Sequence, residues 1–327
     1  MTDYDIIGDV HGQGTKLRGL LATLGWNPDA SGTYQHPDPN RQALFVGDLV
    51  DRGPEQREVL TIARAMVDAG TARMVMGNHE FNAICYGTPD PAVPGEYLRR
   101  HSEKNAEQSA AFLEQLTVAE RANWIAWFRT LPLWLDENEL GGLRIIHACW
   151  HAPSMEIIRE ACGGGNVLGD DVAIYARASD KDDDLYAAVE VLLKGPEVEL
   201  ATYGLPSFRD PENHDRSHAR LRWWRTSDLP LSELIDIRGG SKSADGQDYP
   251  DLTGHTLTES DHTYAYDDVV PLVFGHHWRD WEPSQHEDWT EHTACVDFSA
   301  GKGGPLVAYA WRGEQRIDPA QYGRFPG

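Results

Sequence analysis

The sequence predicts an α/β fold with a largely parallel sheet, and three observations carry that expectation. Short apolar strands at Tyr4–Ile7, Ala43–Val46 and Met74–Met76 each run into Gly-Asp or Gly-Asn. Helical patterns separate them: Leu17, Leu20, Leu21 and Leu24 share one face of Thr15–Leu24, and a second pattern over Glu55–Ala69 stops at Gly70. The tail returns to strands at Val269–Phe274, Thr293–Phe298 and Leu306–Trp311. Strands alternating with helices imply right-handed crossovers and parallel pairing.

The elements between these are read in the same way. Cys85–Gly95 is rich in Pro and Gly and predicts a loop. Glu96–Thr130 predicts helix, with a new helix starting where Thr117-Val118-Ala119-Glu120 supplies a capping box. Leu133–Leu135 and Arg144–His147 predict two strands around a turn at Glu139–Gly142. Asp180–Asp184 reads as a solvated acidic run, Val189–Leu193 as helix, and Gly239–Gly254 as an exposed loop. We expect a single domain over 1–327, with residues from about 154 to 261 elaborating one face.

The bulk properties narrow the function classes. The chain has 327 residues and is 40% hydrophobic, enough to bury a core. Its formal net charge of −23 repels a polyanion and argues against general nucleic-acid binding. It does not exclude a small anionic substrate, because bound cations invert the local field. No apolar run approaches the roughly 20 residues of a membrane span. The start, MTDYDIIGDVHG, carries no basic stretch followed by an apolar one, so a cytoplasmic protein is expected. Four scattered cysteines, Cys85, Cys149, Cys162 and Cys295, predict free thiols. The sequence leaves the oligomeric state open.

Three segments carry the chemistry: Gly8-Asp9-Val10-His11-Gly12, Gly47-Asp48-Leu49-Val50-Asp51-Arg52-Gly53 and Gly77-Asn78-His79-Glu80. Each follows an apolar strand, where α/β sheets gather functional groups. His147 and His276 follow strands too. Five strand ends presenting Asp, Asn or His form a mixed set of carboxylate, imidazole and amide donors, suited to two divalent cations. The set contains no thiolate, which argues against a structural zinc.

In these segments, GDVHG, GDLVDRG and GNHE in that order with His147 and His276, the sequence resembles the phosphoprotein-phosphatase branch of the calcineurin-like metallophosphoesterases. Within that branch it is most similar to short bacterial enzymes of the diadenosine-tetraphosphatase and serine/threonine phosphatase types. The resemblance covers about residues 4–80, with anchors at 147 and 276. It implies an α/β/β/α sandwich of two packed mixed sheets with flanking helices. It implies a hydrolase of phosphate esters dependent on two divalent ions, manganese first, with iron or zinc as alternatives. Asp9, His11 and His276 would hold one ion, Asn78 and His147 the other, and Asp48 would bridge them. His79 would donate a proton to the leaving oxygen, Asp51 would orient His79, and Arg52 would grip phosphate oxygens. Arg222, with Arg220 beside it on one strand face, would supply a second phosphate contact.

Other readings stand beside these. Asp51 and Arg52 also suit an ion pair that stiffens their loop. Glu80 suits the first turn of a helix better than catalysis, and His277 suits a structural role. His101, His151, His214 and His218 lack motif support and are expected at the surface. Cys149 stands where many relatives carry Gly, which puts the substrate carry-over in question. Three functions therefore compete: hydrolysis of phosphomonoesters on proteins or small molecules, hydrolysis of dinucleoside polyphosphates, and phosphate binding without catalysis.

Overall fold

Tyr4, Ile6 and Ile7 are shielded from water in a central strand, β1 (Asp3–Ile7), which pairs in parallel with β2 (Arg41–Phe45). β2 pairs in parallel with β3 (Ala72–Met74). The structure, a computed structural model, describes residues 2–210, 214–237, 240–279 and 287–325. The helices expected between the first strands are α1 (Gly14–Thr23) and α2 (Gln56–Asp68).

A second sheet begins with β4 (Trp134–Leu135) and β5 (Arg144–Ile146), an antiparallel pair. β5 pairs in parallel with β6 (Leu272–Phe274), and β6 in parallel with β7 (Thr293–Cys295). The chain then returns to the first sheet through β8 (Leu306–Trp311), antiparallel to β1, and β9 (Tyr322–Phe325). The orders are β9-β8-β1-β2-β3 and β7-β6-β5-β4.

One apolar cluster joins the inner faces. Tyr4, Ile6, Leu44, Tyr309 and Trp311 from the first sheet meet Leu135, Ile145, Val273 and Ala294 from the second. Burial of side chains of this size stabilises by about 1.5–3 kcal/mol each. Two face-packed mixed sheets with flanking helices are the expected sandwich.

The elements depart from expectation mostly at their ends. The third strand is Ala72–Met74, not 74–76, and the Met76 N–H leaves β2 to bond the Pro132 carbonyl at 2.8 Å. Helix α3 (Asn78–Gly87) extends into the expected loop, and Gly87 is its last residue. Residues 96–102 are not helical; the helices there are Glu103–Gln108, Ala110–Gln115 and α4 (Val118–Phe128). The Thr117–Glu120 capping box forms as predicted. A four-residue helix, Glu137–Leu140, occupies the expected turn between β4 and β5. Val189–Leu193 lies inside α6 (Asp184–Lys194), which packs against α5 (Ala152–Ala161).

The described residues form two compact units. The larger holds both sheets and helices α1–α6; the smaller comprises residues 149–151 and 195–268. In the smaller unit Glu197–Glu199 pairs antiparallel with His218–Arg220 over a core including Val198, Phe208, Leu221, Leu234 and Leu257. Gly239 lies outside the described residues; residues 240–254 form neither helix nor strand, though Leu252 is buried.

Candidate metal centre

β1, β2 and β3 are parallel to one another, and so are β5, β6 and β7. Each set therefore delivers the residues after its strands to one edge. Those residues are Asp9 and His11, Asp48 and Asp51, Asn78 and His79 from the first sheet, and His147, His276 and Asp297 from the second. Asp9, His11, Asp48, Asn78, His147 and Asp297 are all buried.

The loops that carry them are tightly constrained. Among the described residues, six non-glycine residues have positive φ: His11, Asp48, Asp51, Arg52, His276 and Ser299. Five of these are residues that the motifs single out, and such left-handed conformations cost on the order of 1–3 kcal/mol each. Close approach explains two glycines: a Cβ on Gly77 would lie 2.3 Å from Asp48 Oδ1, and one on Gly275 2.2 Å from Asp9 Oδ1.

Asp48 lies at the middle. Its Oδ1 accepts from the His79 backbone N–H at 2.9 Å and lies 3.5 Å from His147 Nε2. Its Oδ2 lies 3.6 Å from His11 Nε2 and 3.8 Å from His79 Nε2. Burial works to raise the Asp48 pKa, but His147, His79 and His11 together pull it well below the usual carboxylate range. Its neighbours fall into two groups whose ligand atoms lie within 4.8 Å of one another: His11, Asp48 and His79, and Asp48, His147 and His276.

Proton positions decide what these groups can hold. His147 Nδ1 donates to the Val46 carbonyl at 2.8 Å, and burial lowers the pKa of the ring, so Nε2 carries a lone pair. That lone pair faces Asn78 Oδ1 at 3.0 Å, another acceptor, which also lies 2.8 Å from His276 Nδ1. His11 repeats the pattern: Nδ1 donates to the Val50 carbonyl at 2.9 Å, burial depresses its pKa, and Nε2 turns to Asp48. Acceptors facing acceptors in a buried place fit a cation between them. The carboxylates agree: Asp9 is pushed well above the normal range by burial, then by Asp297 and Asp48.

His276 takes a different place from the one the resemblance implies. Its backbone N–H reaches Asp9 Oδ2 at 3.2 Å, but its ring joins Asn78 and His147. His79 sits apart from both groups in its protonation. Its Nδ1 donates to Asp51 Oδ2 at 2.5 Å; burial lowers its pKa, but Asp48 and Asp51 outweigh burial and raise it. The other oxygen of Asp51 is buried without a hydrogen-bond partner. Arg52 is exposed.

Two supporting residues escape the motif reading. Gln56, at the start of α2, accepts from the Asp51 N–H at 2.9 Å and donates to the carbonyls of Asp51 and Gly53, clamping the loop. Asp297 is pushed up to about 6 by burial, and its N–H acceptor contact from Ser299 pulls the other way. Reading Thr293–Phe298 as one strand hides Asp297; ending the strand at Cys295 shows a sixth strand end that presents a donor, here a carboxylate.

Glu80 acts as a loop anchor. Its carboxylate accepts from the backbone N–H groups of Gly77 at 3.0 Å, Asp48 at 2.8 Å and Leu49 at 2.8 Å. Burial and then Asp48 push its pKa up to about 7, while those N–H groups pull it down. Leaving a buried donor unpaired costs about 1–3 kcal/mol. Glu80→Ala, which orphans three donors, should therefore destabilise the metal-free protein by about 3 kcal/mol or more, read as a lower urea midpoint.

The remaining candidates are placed as follows. Arg220 ends its strand opposite Glu197 in the smaller unit, and Arg222 lies beyond it, with Nη2 3.5 Å from Asp236 Oδ1. They do not alternate along one strand, because the chain turns there and the Arg225 N–H bonds the Arg222 carbonyl at 3.0 Å. Trp223 and Trp224 are core residues of that unit. His277 is buried and its Nε2 lies 3.2 Å from the Ala148 carbonyl. His101, His214 and His218 are exposed, but His151 is buried against Tyr264, contrary to expectation. All four cysteines are free, and burial pushes the Cys149 thiol well up, so it stays protonated.

The sandwich and its strand-end centre belong to a known class: residues 4–204 match the calcineurin-like phosphoesterase family, and the chain belongs to it. Members of this class are metal-dependent hydrolases of phosphate esters. The chain is 38% identical over 128 residues to an asymmetrical bis(5'-nucleosyl)-tetraphosphatase of Halalkalibacterium halodurans, covering 39% of this chain and 48% of that one. It is 31% identical over 150 residues to a symmetrical bis(5'-nucleosyl)-tetraphosphatase of Methylococcus capsulatus, covering 45% and 44%. A serine/threonine phosphatase structure from Saccharomyces cerevisiae aligns over 100% of this chain and 80% of that one, with 15% identity and a TM-score of 0.42. The chain spans about half the length of the curated relatives just named. Among the described residues, no helix is long and apolar enough to cross a membrane.

Proposed function

We propose that this chain hydrolyses phosphate esters or anhydrides at a pair of divalent cations. The observation that supports it most is the set of buried acceptors from both sheets facing one another around Asp48. Asp9, His11 and Asp48 would hold one ion, with Asp297 beside them; Asp48, Asn78, His147 and His276 would hold the other. Bound there, the ions would neutralise phosphoryl charge and lower the pKa of water, and manganese suits the oxygen–imidazole set.

The chain's own groups do the rest. His79, held charged by Asp51 on Nδ1, presents Nε2–H to the leaving oxygen as the bond to phosphorus breaks. Its Nδ1 is taken up by Asp51, and the Asp48 and Asp51 charges favour its protonated form, which separates His79 from His11 and His147, whose rings burial keeps neutral. Arg52 grips non-bridging oxygens with its planar fork, and Arg222 or Arg220 is the proposed second contact. The protein works in the cytoplasm.

Phosphomonoester hydrolysis is the general form of this chemistry. The bis(5'-nucleosyl)-tetraphosphatase relatives favour a second reading, cleavage of a dinucleoside tetraphosphate. A panel of phosphopeptide, p-nitrophenyl phosphate and diadenosine tetraphosphate, run after metal stripping and manganese add-back, tests both. Activity should vanish on stripping and return on add-back; activity that survives complete stripping removes the metal-centred reading. Turnover of diadenosine tetraphosphate alone removes the phosphomonoester reading.

A further inference from the structure

Helix α3 serves two places. Its first turn carries Asn78 and His79, and farther along Phe81, Asn82 and Cys85 line a cleft of about 660 Å³. His79 and Asn82 are three residues apart on this helix, about 4.5 Å along its axis, so the cleft and the proton donor share one stretch of helix.

The cleft reverses the sign of the protein. The chain has 52 Asp and Glu against 29 Lys and Arg. The cleft's lining has Arg99, Arg100, Lys181 and Lys194 against Asp180 and Glu190. Both acids are engaged: Glu190 pairs with Lys194, and Asp180 accepts from the Asp182 N–H at 3.1 Å. Arg99 bonds only neutral side-chain acceptors, Asn82 Oδ1 at 3.0 Å and Gln108 Oε1 at 2.7 Å, and its buried Nε has no partner. Arg100 and Lys181 are exposed and in no ion pair among the described residues. Asp180 keeps its charge, so the lining carries four cations against two carboxylates, a net positive cleft in a strongly acidic chain that fits an anion with several charges in succession. Burial lowers the Arg99 pKa, and the charges of Cys85, Asp51 and Glu190 work against it, so the field of the His79–Asp51 pair reaches into the cleft.

We propose that this cleft receives a phosphate-bearing leaving group, the polyphosphate chain of an anhydride substrate, on the His79 side of the centre. The proposal rests on the hydrolytic reading above. Water's oxygen bonds to phosphorus and gives up its proton to solvent, the bridging P–O bond breaks with its electron pair staying on the departing phosphate oxygen, that oxygen takes the proton of His79 Nε2, and the departing phosphate chain lies against Arg99, Arg100 and Lys181.

The test uses the full chain with Arg100→Ala and Lys181→Ala combined, two exposed positions. Calorimetric titration of metal-stripped protein with inorganic tripolyphosphate should show binding that the double variant weakens at least about tenfold, since charge-assisted hydrogen bonds are each worth about that factor. With manganese restored, the KM for diadenosine tetraphosphate should rise about tenfold relative to that for p-nitrophenyl phosphate. Absent tripolyphosphate binding in the parent protein, or equal binding by the variant, overturns the proposal. So does an equal KM change for both substrates, or a rise confined to a doubly phosphorylated peptide. A loaded enzyme that turns over nothing sinks the hydrolytic reading instead, while the tripolyphosphate titration still reads the cleft.

Discussion

Asp48→Asn is expected to strip the centre of metal. The change keeps the side chain's shape but removes the charge from the one group that reaches toward His11, His79 and His147 at once. Losing a partner that merely orients a ligand already costs about 10–100-fold in affinity or activity, and a shared carboxylate should cost more. The variant should also lose the backbone contact at full strength, since Oδ1 accepts from the His79 N–H and a neutral amide oxygen accepts less strongly. Elemental analysis after manganese loading measures it; full occupancy with two ions per chain contradicts the shared-ligand role.

His79→Ala should behave oppositely, retaining metal and losing turnover. General acid catalysis is worth about 10²–10⁴-fold, and the loss should fall on alkyl phosphates far more than on p-nitrophenyl phosphate, whose leaving oxygen needs no proton. The pH dependence follows from the raised His79 pKa. The donor must be protonated, so kcat for a poor leaving group should fall as pH rises through that value, and the fall should be missing in the variant. An equal loss on both substrates, or metal loss matching that of Asp48→Asn, would move His79 from proton donor to ligand.

How much of this was legible in the residues depended on the kind of physics involved. Strands closed by Gly-Asp and Gly-Asn announce themselves, because apolar runs and tight turns are local, and the positions of Asp9, Asp48, Asn78, His147 and His276 followed. Leu306–Trp311 was read to the residue because its ends coincide with turn signals. The ends of the third strand and of α3 were not, since pairing to β2 and the packing of α3 decide them. Which ring joins which partner is settled by contacts across the two sheets, so the resemblance sets His276 with Asp9 and His11 whereas its imidazole meets Asn78. Asp297 was hidden for a similar reason: nothing in Cys-Val-Asp-Phe says that the strand stops early. Gln56 looks like any polar residue opening a helix until the loop it clamps is seen.

The convergence of strand ends from opposite sheets has a consequence for how the molecule holds together. Asp9, His11, Asp48 and Asn78 hang from one layer, and His147 and His276 from the other. An ion held by Asn78 and His276 together would be a rivet through the seam of the sandwich, joining residues 198 apart in the chain. Its grip would exist only after both layers had met, so every increment of ion affinity would also be resistance to the layers parting, and a chelator should lower the stability of the larger unit along with its activity.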